Sequence, residues 1–349
     1  MNNYRISNKK DNRQVLDTSK KNILLIGSAN NNNQAKIILN PLNTAGAKQL
    51  YGENNPLTNA YEMAYNITNT SNVYTVNCPM STDFIEIIDT IINYDFDYIV
   101  PIDIFLEDTF INPINDKTTY FCNYYIERLG LIENLATLIM TDRASYYYNS
   151  IDDYLLATKK IFKKYRESST HILEKYGSNM IFVLNNLTES YYSNVLLAAI
   201  LSINSFTKYP NSVPYKTHFD IDNFDIKNVN LAYFKYCENT NSCTIENLKN
   251  LRLEDDIYKW VLIDEAIKYV IKNLNLDEYR GRLYSPYIEM QINTRVKKIM
   301  EDMKGIVFKQ YQVEKVQFIK TAPAVGYISI EVSFVPFGTL EKINLVMGV

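Results

Sequence analysis

Tyr327-Ile328-Ser329-Ile330-Glu331-Val332-Ser333-Phe334 alternates apolar and polar residues without a break. Ile328, Ile330, Val332 and Phe334 share one face, and Ser329, Glu331 and Ser333 the other, which is the period of a strand with one buried side. Pro336-Phe337-Gly338-Thr339 then turns the chain, and Leu340 to Met347 alternates again. Chain ends are ordinarily frayed and polar. A final strand ending on Leu345-Val346-Met347 needs a sheet to join, its own or a neighbour's. Ile343, Leu345 and Met347 are therefore the candidate residues of an intersubunit strand, and the pattern points to assembly.

Working back from this region, Val307 to Lys320 reads as a further strand. Ser285-Pro286 opens a helix, with Ser as cap and Pro at the first position. Ile288, Ile292, Val296, Ile299 and Met303 form its apolar stripe, and Gly305 ends it. Leu253 to Leu274 is expected to be helical, with Ile257, Trp260, Val261, Ile267, Val270, Ile271 and Leu274 inward, and Val229 to Tyr236 to be a strand. Residues 211–349 thus read as an α+β domain with antiparallel strands.

Before Pro210 the rhythm changes. Apolar runs at Ile23–Ile26, Val73–Val76, Tyr98–Ile102, Leu135–Met140 and Met180–Leu184 alternate with amphipathic segments at 55–69, 82–92, 118–129, 151–174 and 193–205. Ser81 or Thr82 is the expected cap of the second of these helices. Strands apolar on both faces, alternating with helices, imply a mainly parallel sheet covered on both sides. This gives an α/β core over residues 22–210. Met1 to Lys21 is polar and has no apolar period, so it reads as an N-terminal arm, in which Val15 and Leu16 could pair as a short added strand.

With 349 residues the chain has length for one large domain or two ordinary ones. A net charge of −3, from 36 Lys+Arg against 39 Asp+Glu, and no long basic block argue against nucleic acid as a partner. No run approaches the length of a membrane span, no N-terminal segment resembles a signal peptide, and no membrane insertion is expected. Synthesis and folding in a cytoplasm follow from that reading. Cys78, Cys122, Cys237 and Cys243 contain no C-x-x-C pair; Cys237 and Cys243 could close a small loop, but reduced thiols are expected. The 29 Tyr are an excess that an AT-rich genome also produces, and the clusters Tyr124-Tyr125, Tyr146-Tyr147-Tyr148 and Tyr191-Tyr192 fit packing or an interface.

In an open parallel sheet, ligands bind at the carboxyl ends of strands. Gly27 and Ser28, Asp103, and Thr141-Asp142-Arg143 stand at those ends. Gly27-Ser28-Ala29-Asn30-Asn31 is neither a dinucleotide fingerprint nor a P-loop, and no G-x-S-x-G elbow surrounds Ser28. Asp103 and Asp142 could serve as acid and base or hold Mg²⁺, but an Asp after a strand is more often a turn or helix cap. His171 falls on a Lys-rich helix, and His218 in a loop near Asp220 and Asp222, a poor basis for a zinc site. Arg280-Gly281-Arg282 could bind an anion or an acidic neighbour. No catalytic residue, cofactor or metal site is legible.

Two stretches together resemble contractile-tail sheath proteins. One is Asn43-Thr44-Ala45-Gly46-Ala47-Lys48-Gln49-Leu50-Tyr51-Gly52, leading to Asn55-Pro56-Leu57 and Ala60 to Ala64 and then Asn72 to Val76. The other runs from Asp264 to Leu274 through Gly281 to Gly326-Tyr327-Ile328 and Pro336-Phe337-Gly338-Thr339-Leu340-Glu341-Lys342-Ile343. The resemblance implies a non-catalytic core, a virion-tail location after assembly in a bacterial host, and no cofactor. Implied partners are further copies in stacked rings, an inner tail tube protein, and baseplate and terminator proteins. It also implies that terminal arms add strands to adjacent subunits while the sheath shortens and drives the tube through a cell envelope. The chain is short for a sheath, so a terminator or baseplate component is a related alternative. A cytosolic α/β enzyme acting on a nucleotide or sugar is the unrelated one.

Overall fold

A computed structural model describes residues 21–29, 35–70, 72–112, 115–131, 134–143, 145–188, 192–203, 213–221, 231–253, 261–274, 276–279, 284–305, 308–322 and 325–336. The chain divides into two compact units, Met1–Val261 and Leu262–Val349.

The first unit is built on β1 (Ile23–Gly27), β2 (Ile38–Leu39), β3 (Val73–Asn77), β4 (Tyr98–Pro101), β7 (Thr137–Thr141) and β8 (Met180–Val183), with the small hairpin β5 (Thr109–Ile111) and β6 (Thr118–Tyr120) between β4 and β7. The sheet order is β2-β3-β1-β4-β7-β8. Only β2 runs antiparallel; β3, β1, β4, β7 and β8 are mutually parallel. Strands β1, β4, β7 and β8 are buried throughout, as expected of a sheet covered on both faces.

Alternation sends successive residues to opposite cores. Leu24, Ile26, Ile99, Leu138, Met140 and Phe182 join one apolar cluster, and Ile23, Leu25, Val100, Ile139, Ile181 and Val183 the other. Helices α3 (Ser81–Ile91), α4 (Phe121–Leu131), α5 (Ile151–Ser168) and α6 (Thr170–Tyr176) supply Phe84, Ile126, Phe162 and Leu173 to the first cluster. Helices α1 (Thr44–Tyr51), α2 (Pro56–Thr68) and α7 (Ser193–Ile203) supply Tyr51, Tyr61 and Leu197 to the second. The mainly parallel α/β core expected from sequence is therefore present.

Local chemistry sets the helix starts. Asn43 accepts from the Gly46 N–H at 2.9 Å, Asn55 from Thr58 at 3.0 Å, and Ser150 from Asp153 at 3.2 Å. The cap expected at Ser81 or Thr82 falls one residue earlier. Helix α3 begins at Ser81, Met80 is the capping position, and the Asp83 carboxylate accepts the Met80 N–H at 2.9 Å. The segment expected as one helix over 118–129 starts as strand β6, and that over 151–174 breaks at Ser169, where α5 gives way to α6. At Gly130 a Cβ would overlap the Tyr176 ring, so α4 and α6 approach closely only because that position is glycine.

The first unit does not close at 210. Strands β9 (Tyr233–Cys237) and β10 (Ser242–Glu246) form a hairpin whose approach segment pairs beside β8, with Leu184 N–H donating to Ala232 O at 2.8 Å. Leu251 N–H donates to Met180 O at 2.9 Å on the same strand. These bonds satisfy the open edge of β8, which is the physical reason residues 213–253 pack with the α/β core and carry the first unit well past Pro210.

The second unit holds α8 (Val261–Leu274) from its second residue onward, α9 (Pro286–Met303), β11 (Phe308–Ala322) and β12 (Val325–Pro336). Ser285 caps α9, accepting from Ile288 N–H at 3.4 Å, and Gly305 at φ 81° ends the turn that leads to β11. β11 and β12 pair antiparallel as a two-stranded ribbon, matching the expected α+β region with antiparallel strands. Residues 1–20 and 337–349, which contain the expected arm and final strand, lie outside the described residues, as do Val15, Leu16, Ile343, Leu345 and Met347.

Candidate functional site

In a sheet of order β3-β1-β4-β7-β8, the strand order reverses between β1 and β4, and a crevice for ligands is expected at their carboxyl ends. The side chain of Asp103 fills that position. Its Oδ2 accepts from both Ser28 N–H and Ser28 Oγ at 2.7 Å. Asn77 Oδ1 accepts from Ala29 N–H at 2.9 Å, and Leu57 N–H donates to Ser28 O at 3.2 Å. Asn194 Nδ2 donates to Pro101 O at 2.7 Å. The groups that would greet a phosphate or sugar are thus bonded to one another. Asp103 acts as a staple between two strand ends.

Asp142, after β7, is fully buried and equally engaged. Its Oδ1 accepts from Asn185 N–H at 2.8 Å and Tyr154 OH at 3.1 Å, and its Oδ2 accepts from Thr158 Oγ1 at 2.6 Å. None of these donors is charged, so burial dominates and pushes its pKa up to about 6. Asn185 and Asn186 extend the network: Asn186 Nδ2 donates to Phe234 O at 2.7 Å, while its Oδ1 accepts from Phe234 N–H at 3.2 Å. This buried polar knot ties β7, β8, α5 and β9 together. Sequence reading missed Asn185 and Asn186, whose only signal is polarity immediately after a buried strand.

Arg143 turns outward. Its Nε donates to Glu107 Oε1 at 3.0 Å, NH2 reaches Asp108 Oδ1 at 3.3 Å, and its guanidinium lies 4.8 Å from the Phe105 ring centre. Burial raises the Glu107 carboxyl, with Asp108 nearby adding to the shift and Arg143 opposing it. Asp103, Asp142 and Arg143 thus serve three separate contacts and do not converge on one reacting atom. A small apolar cavity of about 10 Å³, lined by Phe84, Phe121, Leu138 and Met140 among others, has room for one water at most.

The remaining candidates are dispersed. His171 is exposed on α6, and His218 is exposed with its ring edge-on to Phe219 at 4.4 Å. Among the described residues no group of three or more His, Cys, Asp or Glu could hold a metal. Cys237 pairs with Ser242 and Cys243 with Tyr236, so the two thiols point to opposite faces of the hairpin and are not bridged. Burial raises the Cys78, Cys122 and Cys243 thiols to about 12, which leaves them inert at neutral pH. Tyr124 and Tyr125 are buried on α4, so that pair is packing. No helix among the described residues is long and apolar enough to cross a membrane. Arg280, Gly281 and Arg282 lie outside the described residues.

The other candidate surface is the ribbon of the second unit. Phe308–Phe334 and Tyr284–Phe318 ring contacts, both at 4.5 Å, anchor it within the unit. Ile328, Ile330, Val332 and Phe334 remain only half-buried, and Val335 is exposed. Among the described residues neither outer edge of the ribbon carries another strand.

No protein-family model matches the sequence, and no curated protein does. Solved structures do. A chain of the anti-feeding prophage baseplate, determined with six-fold symmetry, superposes with a TM-score of 0.63 at 10% identity, over 96% of this chain and 94% of that one. The sheath tail protein of Listeria innocua gives a TM-score of 0.54 at 8% identity, over 91% of this chain and 95% of its own. One is a baseplate chain and the other a sheath tail protein. Over most of its length, this chain has a tail-sheath-like fold.

Proposed function

We propose that the chain is a structural subunit of a contractile tail sheath, which polymerises in stacked rings around an inner tube and contracts to drive it through a cell envelope. The observation that carries this reading is the ribbon β11–β12. The ribbon packs on α9 through Tyr311 but, among the described residues, carries no third strand, and two strands gain stability from further ones. Addition of a strand from an adjacent copy would supply backbone pairing at an edge and widen the half-buried face. The candidate donors are Ile343, Leu345 and Met347 at one end of the chain and Val15 and Leu16 at the other.

Mutual engagement of Asp103, Asp142 and Arg143 with local partners supports a mechanical rather than catalytic role. In this reading the work comes from a metastable extended lattice, with the inner tube, baseplate and terminator proteins as partners. No cofactor is called on. The location is the virion tail.

A second reading is a sheath-fold component confined to the baseplate. It is favoured by the higher TM-score of the baseplate chain, 0.63 against 0.54. Negative-stain microscopy of the purified chain separates the two: tubes or stacked discs support a sheath, and single rings a baseplate component. Deletion of Ile343–Val349 is expected to leave a folded monomer that no longer polymerises. Tubes formed by the truncated chain would defeat the strand-donation part of the proposal.

A further inference from the structure

Helices α3 and α5 are the two ends of one layer. Both supply the first apolar cluster, and between them α3 packs on α4, α4 on α6 and α6 on α5. Each runs back from the carboxyl to the amino end of the parallel strands, so the two helices point in the same direction. Their outer faces carry opposite charge.

On α5, Tyr154, Leu155, Thr158, Phe162 and Tyr165 are buried. Lys160, Lys163 and Lys164 are exposed on the other side, and one turn before them Leu156 is 71% exposed. Among the described residues the three lysines have one ion pair, Lys163 with Glu167 at 3.9 Å. Like charges three and four residues apart on a helix repel one another, so this face gains from an acidic neighbour.

On α3, Phe84, Ile87, Ile88 and Ile91 are buried, while the side chains of Glu86 and Asp89 are 62% and 63% exposed. Each carboxylate gives one oxygen to a cation of its own chain, Glu86 Oε2 to Lys36 at 2.6 Å and Asp89 Oδ1 to Arg128. Among the described residues the second oxygen of each has no ion pair. Met80, at the start of the helix, is 62% exposed. Both helices thus show a large apolar side chain followed by charges of one sign, and the sign is reversed between them.

The spacing matches as well. At 1.5 Å per residue, Glu86 and Asp89 lie about 9 and about 14 Å along the axis from Met80. Lys160, Lys163 and Lys164 lie about 6, about 10 and about 12 Å from Leu156. Parallel alignment with Met80 beside Leu156 therefore sets Glu86 between Lys160 and Lys163, and Asp89 next to Lys164. Asp152 and Asp153, the acids in the first turn of α5, fall before Met80 and outside the overlap. One chain cannot make this contact with itself, because α4 and α6 lie between the two helices. A copy related by rotation about an axis along the strands presents its α3 parallel to α5, which is a head-to-tail contact.

We propose that the outer face of α5 docks on the outer face of α3 in a second copy of this chain, with Leu156 against Met80 and the three lysines against Glu86 and Asp89. This rests on the reading of the chain as a subunit that assembles with its own copies, and adds a contact made by the α/β unit.

Three variant chains test it, by the concentration at which rings or tubes sediment. Lys160→Glu with Lys163→Glu and Lys164→Glu sets acid against acid. Glu86→Lys with Asp89→Lys sets base against base. A chain carrying all five changes restores opposite signs. Either partial reversal is expected to raise the assembly threshold at least about tenfold, and the chain carrying all five to return within about threefold of wild type. Thermal midpoints of the dilute monomers identify any reversal that does not fold. In that case Lys160→Gln with Lys163→Gln and Lys164→Gln decides, with a rise of at least about threefold expected.

An unchanged threshold in the lysine reversal or in the glutamine chain would overturn the contact and leave the sheath reading standing. A folded chain carrying all five changes that is as impaired as the lysine reversal would do the same. Wild type that forms neither rings nor tubes at high concentration would remove the proposal together with the reading it rests on.

Discussion

Between β1–β4–β7–β8 and β11–β12 the same chain makes two kinds of sheet. In the first, the four strands are buried at every residue, and the polar groups at their ends are bonded to one another. In the second, only Phe308 and Val316 are buried among the side chains described on its two strands. The α/β sheet has spent its apolar and polar surface internally. The ribbon has kept both in reserve. On the sheath-subunit reading proposed above, stability of the subunit and formation of an assembly reside in different places, and substitutions can separate them.

The largest contrast is expected from two phenylalanines. Phe182 on β8 is fully buried and stacks on Phe162 at 5.5 Å, so Phe182→Ala should cost about 3–5 kcal/mol and sharply lower the thermal midpoint. Phe334 is half-buried, and Phe334→Ala should cost the monomer only about 1 kcal/mol while abolishing polymer formation. Calorimetry and sedimentation of both variants test this. Polymer formation by Phe334→Ala at wild-type concentrations would break the comparison.

Period and burial decide which of these features were legible in the sequence. The five parallel strands are continuous apolar runs, and Ile328 to Phe334 alternates strictly, so both kinds of sheet could be read directly. Helix α1, with a buried Ala47 and Tyr51 in eight residues of mixed polarity, offers little periodic signal. Its start depends on the Asn43 cap. Strands β2, β5 and β6 are two or three residues long, below the length at which alternation is visible. The attachment of residues 213–253 to β8 is a long-range pairing that no local pattern encodes. At the strand ends, Ser28, Asp103, Asp142 and Arg143 were identifiable by position, but the pairing of Ser28 with Asp103 and the partners Tyr154, Thr158 and Glu107 were not, because tertiary packing brings them together.

A smaller effect is expected from pH, and it should belong to the α/β unit alone. Asp142 titrates near 6 in the fold against an ordinary value of 3.8. The folded chain then holds this proton more tightly than the unfolded chain. Its contribution is fully present below about pH 4 and is lost as pH rises through about 6, a loss of about 3 kcal/mol at most. Asp142→Asn removes the titration while keeping the shape. Urea unfolding at pH 4.5 and 7.5 should show a steeper fall for wild type than for the variant. Parallel pH profiles would mean that the carboxylate is better compensated by Asn185, Tyr154 and Thr158 than its burial suggests.

The smallest effect is expected at Arg143, where the two views of the strand ends meet most directly. Its side chain is 54% exposed, and its partners Glu107 and Asp108 are 24% and 25% exposed, so solvent screens the ion pairs. Such pairs are worth about 0.2–1 kcal/mol, and the Phe105 contact adds little more at an exposed position. Arg143→Gln should therefore shift stability by less than about 1 kcal/mol. Combined with Asp103→Asn and Asp142→Asn, it should leave assembly close to wild type, since all three are engaged within their own chain. Addition of Mg²⁺ and nucleotide to wild type should likewise yield no hydrolysis that the triple variant lacks. Hydrolysis confined to wild type would make the strand ends a working site, and the self-bonded carboxylates would then have to part when substrate enters.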